Sequence, residues 1–196
     1  GLAFSRDEGM TFEKVGTGPI LAASLHEPFL VGDAFVAVFG GVYHMWYIYG
    51  QRWLDHCQED EAQRVYKIAH ATSMDGLLWV RESRPIIPDK LNPNECQALP
   101  TVIRHKGAYH MYFCFREATG FRNDRTRSYR IGYAWSTDLA AWTRADSEVG
   151  IDVSDNGWDS EMMCYPHVFH CDDDVFMLYN GNEFGRHGFG LAKLCQ

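Results

Sequence analysis

The chain of 196 residues has no apolar run long enough to span a bilayer, and no segment keeps a helical apolar period over three turns. A membrane-spanning helix and a helical bundle are therefore not expected. No signal peptide opens the chain as given and no low-complexity tail is present, so a cytoplasmic location is expected. CxxC spacing is absent: the six cysteines lie at Cys57, Cys96, Cys114, Cys164, Cys171 and Cys195, with no tight secreted framework. Reduced thiols are the expectation. Basic residues are few, 18 against 26 acidic ones for a net charge of −8, which disfavours nucleic acid as a partner.

Apolar residues make up 46% and aromatics 14% of the chain, ample for a packed core of facing sheets. Three stretches match one another: YHMWYIY from Tyr43, YHMYFCF from Tyr109 and VFMLYNG from Val175, each 66 residues after the last. Two are followed by a second matching stretch, YKIAHATSMDGLLW from Tyr66 and YRIGYAWSTDLAAW from Tyr129. Each unit runs short apolar strand (FVAVF, TVIRH, HVFHC), tight turn, aromatic strand, long polar loop, and a further strand in which Tyr129, Ile131, Tyr133 and Trp135 alternate with smaller or polar residues. A period this long suits a four-stranded antiparallel blade, so the fold class expected is all-β, a β-propeller.

The opening GLAFSRDEGMTF aligns with the second half of later repeats, Ala3, Ser5 and Asp7 taking the places of Ala71, Ser73 and Asp75. The expected division is half a blade (1–18), two blades (19–84 and 85–147) and most of a last one (148–196), about three and a half blades of one domain. Roughly one and a half blades are expected to be missing from the N-terminal side of a ring, or a second copy covers the open blade faces as a homodimer.

Strand order places the loops that enter each first strand, and those joining second to third strands, on one rim. These are the long, polar loops, which argues for binding or catalysis there. The opposite rim has short S-x-D turns, so Asp7, Asp75 and Asp138 are assigned to structure. With Ala34, Pro100 and Pro166 as equivalents, Glu95 and Glu161 hold matched places five residues upstream; Glu27 lies two residues further back in its blade, and Asp33 at the strand start. Carboxylates gathered about one axis suit acid/base cleavage of a glycosidic bond, making Glu27, Asp33, Glu95 and Glu161 the catalytic candidates. Arg116, directly after an aromatic strand, is expected at the channel mouth, where with Arg186 and His187 it would hold a phosphate or carboxylate. Trp53 and Trp158 in rim loops offer stacking faces for sugars, and Asn180 a polar contact. Trp46, Trp79, Trp135 and Trp142 are assigned to the core. Cys164, His167, His170 and Cys171 do not make a metal site, since His167 and His170 face opposite sides of a strand; no metal or cofactor is expected.

The units Y-x-M-W-Y and Y-x-I-x-x-A-x-S-x-D-G-x-x-W resemble those of the five-bladed propeller glycosidases: the arabinanase and xylosidase, invertase and levansucrase, and mannoside phosphorylase groups. EMMCYPHVF and MLYNGNEFGRHGFGLA also resemble uncharacterised bacterial proteins of glycosidase-like type. The likeness implies a carbohydrate partner and a glycoside hydrolase or phosphorylase, with a non-catalytic glycan-binding or assembly propeller, or an inactive fragment, as the alternatives. In that family a base, a pKa-setting Asp and a general-acid Glu lie on the first three blades. The resemblance would then put Glu27 or Asp33 nearest the acid's place, with Glu95 and Glu161 binding substrate. No W-A-P-x stretch of the family is present.

Overall fold

The structure, a computed structural model, describes residues 1–54 and 62–195. Cys57 and the middle of the first joining loop lie outside the described residues. Short β1 (Leu2–Phe4) and β2 (Glu13–Val15) pair as a two-stranded sheet. Two four-stranded antiparallel sheets follow. One orders β3 (Val31–Phe39), β4 (Val42–Leu54), β5 (Gln63–Ser73) and β6 (Val80–Arg81). The other orders β7 (Cys96–His105), β8 (Ala108–Arg116), β9 (Arg130–Ser136) and β10 (Thr143–Arg144). Three-stranded β11 (Cys164–Cys171), β12 (Asp174–Asn180) and β13 (Phe189–Lys193) complete the arc. This is an all-β, incomplete β-propeller, and the first strands β3, β7 and β11 adjoin one another along its inner side. No helix is long and apolar enough to cross a membrane.

Turn chemistry sets this order. Between β3 and β4, Gly40 and Gly41 have φ of 60° and 80°, and between β7 and β8 Lys106 and Gly107 have 47° and 86°. Two consecutive left-handed residues form the hairpin whose twist matches that of the strands. After β5, Ser73 Oγ accepts the N–H of Gly76 at 2.9 Å, and Asp75 Oδ1 accepts those of Leu77 and Leu78 at 2.8 and 2.9 Å. Ser136 and Asp138 repeat the device with Leu139, Ala140 and Ala141. In the opening segment Asp7 accepts from Ser5 and Thr11, and these bonds hold its pKa down at about 2. The turn carboxylates therefore do structural work.

Period-two side chains bury both faces of the middle strands of the two four-stranded sheets. Met45, Tyr47 and Tyr49 pack on Leu21 and Val31 on one side of β4, while Trp46 and Ile48 point the other way into the core shared with β8. Met111, Phe113 and Phe115 receive them from β8. Tyr112 and Tyr133 then meet Val168, Met177 and Tyr179 of the last sheet. Trp46 is wholly buried and Trp79 and Trp142 pack at core margins, but Trp135 is 36% exposed. Its alternation is correct; it lies at the turn end of β9, beyond the cover of the neighbouring sheet. Cys96, Cys114 and Cys164 are buried free thiols and Cys171 and Cys195 exposed ones.

Each first strand carries an irregularity at the same place: the register shifts between Gly32 and Phe35, Ala98 and Thr101, and Cys164 and His167. Inside these bulges Asp33, Leu99 and Tyr165, spaced at the sequence period, all have positive φ, 52°, 45° and 59°. A bulge bends the strand and re-aims one side chain. Three of them bring three side chains to one point.

Candidate functional site

That point is a pocket of about 470 Å³ on the rim of the long loops, lined by Asp33, Leu99 and Tyr165 with Tyr66, Arg116 and Phe121 among others. Asp33 stands where the first strands converge. Protein displaces water from its carboxyl and raises its pKa above the ordinary value, while the N–H of Leu99 pulls the other way. Asp33 is exposed as a residue, yet its carboxyl is inclined to hold its proton.

Glu27 and Glu95 are placed differently. Both are wholly buried. Glu27 accepts from Tyr47 Oη at 2.5 Å and pairs with Arg81 Nη1 at 2.5 Å. Glu95 takes Arg144 Nη1 at 2.6 Å and Gln97 Nε2 at 3.0 Å on Oε1, and the N–H groups of Lys90 and Leu91 at 2.9 and 3.0 Å on Oε2. Burial works to raise its pKa, but the bonds and charge of Arg144 outweigh it and hold the group ionised below the ordinary range. Each glutamate clasps its entering loop to the fourth strand of the same sheet. The arginines were missed in the sequence, although W-x-R recurs at Trp79–Arg81 and Trp142–Arg144.

In the last sheet the place of Glu27 is taken by Asp159: Tyr179 Oη donates to Asp159 Oδ2 at 3.2 Å, over the same separation of 20 residues that joins Tyr47 to Glu27. Glu161 is exposed; its N–H donates to Asn182 Oδ1 at 2.8 Å and its carbonyl accepts from Arg130. Among the four carboxylates singled out from the sequence, Asp33 alone lines this pocket.

Arg116 does reach the pocket wall, though it is only 6% exposed. Its Nη1 donates to the carbonyls of Glu117 and Ala118 at 2.7 and 3.2 Å, and Nη2 donates to Tyr66 Oη at 2.8 Å. Tyr66 and Tyr129 share a hydroxyl contact of 2.7 Å. The guanidinium lies 3.6 Å from the Phe121 ring centre. Burial pushes the Tyr66 phenol up to about 12. Arg186 and His187 do not join Arg116: they turn to Glu183, at 2.7 and 3.9 Å. Asn180 Nδ2 is spent on the carbonyl of Phe184 at 3.0 Å. Trp53 is 48% exposed and stacked on Phe29, and Trp158 is 36% exposed and stacked on Tyr179. Neither lines this pocket.

On β4 and β5, away from the pocket, His44 Nδ1 lies 3.0 Å from His70 Nε2, and His70 Nδ1 lies 2.6 Å from Glu82 Oε1. Burial, then the charge of His70, lowers the pKa of His44. Among the described residues no group of three or more His, Cys, Asp or Glu is placed to hold a metal ion.

No protein-family profile matches the chain. It is 38% identical over 194 residues to the uncharacterized proteins MT1551 and Rv1502 of two Mycobacterium tuberculosis strains, matching 99% of this chain and 60% of each of theirs. The chain thus spans about 60% of the length of the curated relatives it matches. Among solved structures it is similar to a thermostable family-43 glycoside hydrolase, with a TM-score of 0.70 at 15% identity over 99% of this chain and 62% of that one. A family 117 glycoside hydrolase, Zg3597 of Zobellia galactanivorans, gives 0.64 at 19% identity, covering 84% and 52%. The Bacillus subtilis arabinanase Arb43A gives 0.56 at 20% identity, covering 85% and 52%. Likeness at these identities establishes the propeller fold of such hydrolases.

Proposed function

We propose that the chain supplies part of the active site of a carbohydrate-active enzyme that cleaves a glycosidic bond by hydrolysis or phosphorolysis, with Asp33 as its general acid. The observation that carries this reading is a carboxyl of raised pKa at the convergence of three bulged inner strands, within a pocket large enough for a sugar ring. An acid must keep its proton until the leaving oxygen accepts it, and a partly dehydrated carboxyl does so nearer neutrality than a solvated one. The fold shared with glycoside hydrolases agrees with the assignment. Glu27 and Glu95 act as loop clasps, and Glu161 lies outside the pocket. Acid/base cleavage takes a second carboxylate, which comes from residues outside the pocket wall described, as the greater length of the relatives allows.

The test is Asp33→Asn, assayed against a panel of aryl glycosides with and without phosphate. Asn tolerates the left-handed backbone as Asp does, so thermal unfolding stays unchanged while turnover falls by about 100-fold or more, the scale of acid–base catalysis. Full activity of the variant on a confirmed substrate overturns the assignment. One observation favours a second reading, glycan binding without turnover: among the described residues Asp33 is the only carboxylate in the pocket lining. A glycan bound for hours at micromolar affinity and recovered uncut would support it.

A further inference from the structure

We infer that the sugar entering this pocket carries an acidic group, a carboxylate or a phosphate, and that Arg116 reads it with Arg122 beside it. The inference rests on the carbohydrate reading above and narrows its substrate class. The chain has a net charge of −8, yet among the described residues the pocket lining includes Arg64, Arg116 and Arg122 against one acid, Asp33. A pocket of inverted charge is selective for anions.

Arg116 supplies the stronger observation, because the protein contains its own controls. Buried Lys67 pairs with Asp89, buried Arg144 with Glu95 and Asp146, and Arg81 with Glu27. Among the described residues no carboxylate lies within ion-pairing distance of Arg116, whose partners are two carbonyls, the phenols of Tyr66 and Tyr129, and aromatic rings. Its Nε is buried without a hydrogen-bond partner. A guanidinium withdrawn from water without a counter-charge is destabilising, and rings recover only part of the loss. The fold tolerates a charge here that it neutralises elsewhere, and an oxyanion delivered by a ligand completes it through a charge-assisted bond. Arg122 also lies over the Phe121 ring, 4.3 Å from its centre, and it too has no carboxylate partner among the described residues.

The test measures binding of glucose, glucuronate, glucose 6-phosphate and inorganic phosphate to the full chain and to Arg116→Met, by ligand-observed NMR and thermal shift. Glucuronate or glucose 6-phosphate is expected to bind at least about tenfold more tightly than glucose, an advantage lost in Arg116→Met. Without ligand the variant should be as stable as the parent or more so, since Met removes an uncompensated buried charge. A merely structural arginine predicts the reverse, a destabilised variant with unchanged ligand preference, and that result overturns the inference. Equal binding of glucose and the acidic sugars also overturns it, yet leaves the carbohydrate reading standing. Binding of phosphate alone, without the acidic sugars, assigns Arg116 to a free anion and sinks the claim about the sugar. Should Arg116→Met fail to fold, Arg122→Ala must still weaken acidic sugars selectively, by roughly threefold or more for loss of an exposed charge.

Discussion

Replacing Arg144 by Met tests whether Glu95 is a clasp or a catalyst. Arg144 Nη1 meets Glu95 Oε1 at 2.6 Å, the arginine side chain is 6% exposed and the glutamate not at all. Without the guanidinium the carboxylate keeps the Gln97 amide and two backbone N–H groups but loses its counter-charge. Breaking a buried pair from one side costs about 3–5 kcal/mol. Arg144 also grips Asp146 at 3.0 Å, which favours the upper end, although Lys90 remains on Asp146 at 3.2 Å. Glu95→Gln removes the charge but keeps the shape and should cost less, about 1.5–3 kcal/mol, and the double variant should cost less than the sum of the two. Urea unfolding followed by tryptophan fluorescence measures all three. The pH dependence has a definite sign. The folded pKa of Glu95 lies below its ordinary value of 4.5, so the clasp's contribution is complete above that value and fades as pH falls through the lowered one. The gap between parent and Arg144→Met should therefore narrow in acid. If Arg144→Met and Glu95→Gln both unfold within about 0.5 kcal/mol of the parent, the clasp is not structural. Loss of turnover in a fully stable Glu95→Gln would return that residue to catalysis.

Two further outcomes follow from packing and protonation. A Cβ at Gly132 would fall 2.5 Å from Phe113 Cζ, and Phe113 is wholly buried, so Gly132→Ala should destabilise by about 1–3 kcal/mol, partly restored by adding Phe113→Leu; an unchanged urea midpoint would show that the ring can move. His44 is held neutral, with a folded pKa below its ordinary 6.5, so its contribution is present above that value and disappears as pH falls through the lowered one. His44→Asn should flatten the acid limb of the stability curve below pH 6.5, and identical slopes would refute the role given to the His44–His70 contact.

The local pattern alone determined the strands, because period-two apolar residues and left-handed turn residues act over a few positions and need no distant partner. Gly40-Gly41, Ser73 with Asp75, and Ser136 with Asp138 each close their turns through bonds spanning no more than a few residues. The 66-residue recurrence of Tyr43, Tyr109 and Val175 extended that local reading to radial sheets and to a rim of long loops. What a carboxylate does on that rim was decided only by the tertiary structure. Glu27 and Asp33 lie six residues apart in the chain, yet one is enclosed by Arg81 and Tyr47 while the other is turned into the pocket by a bulge. The ionisation and reach of an acid depend on what comes within a few ångströms of it. Arg81 stands 54 residues from Glu27 and Arg144 stands 49 from Glu95, separations that only folding closes.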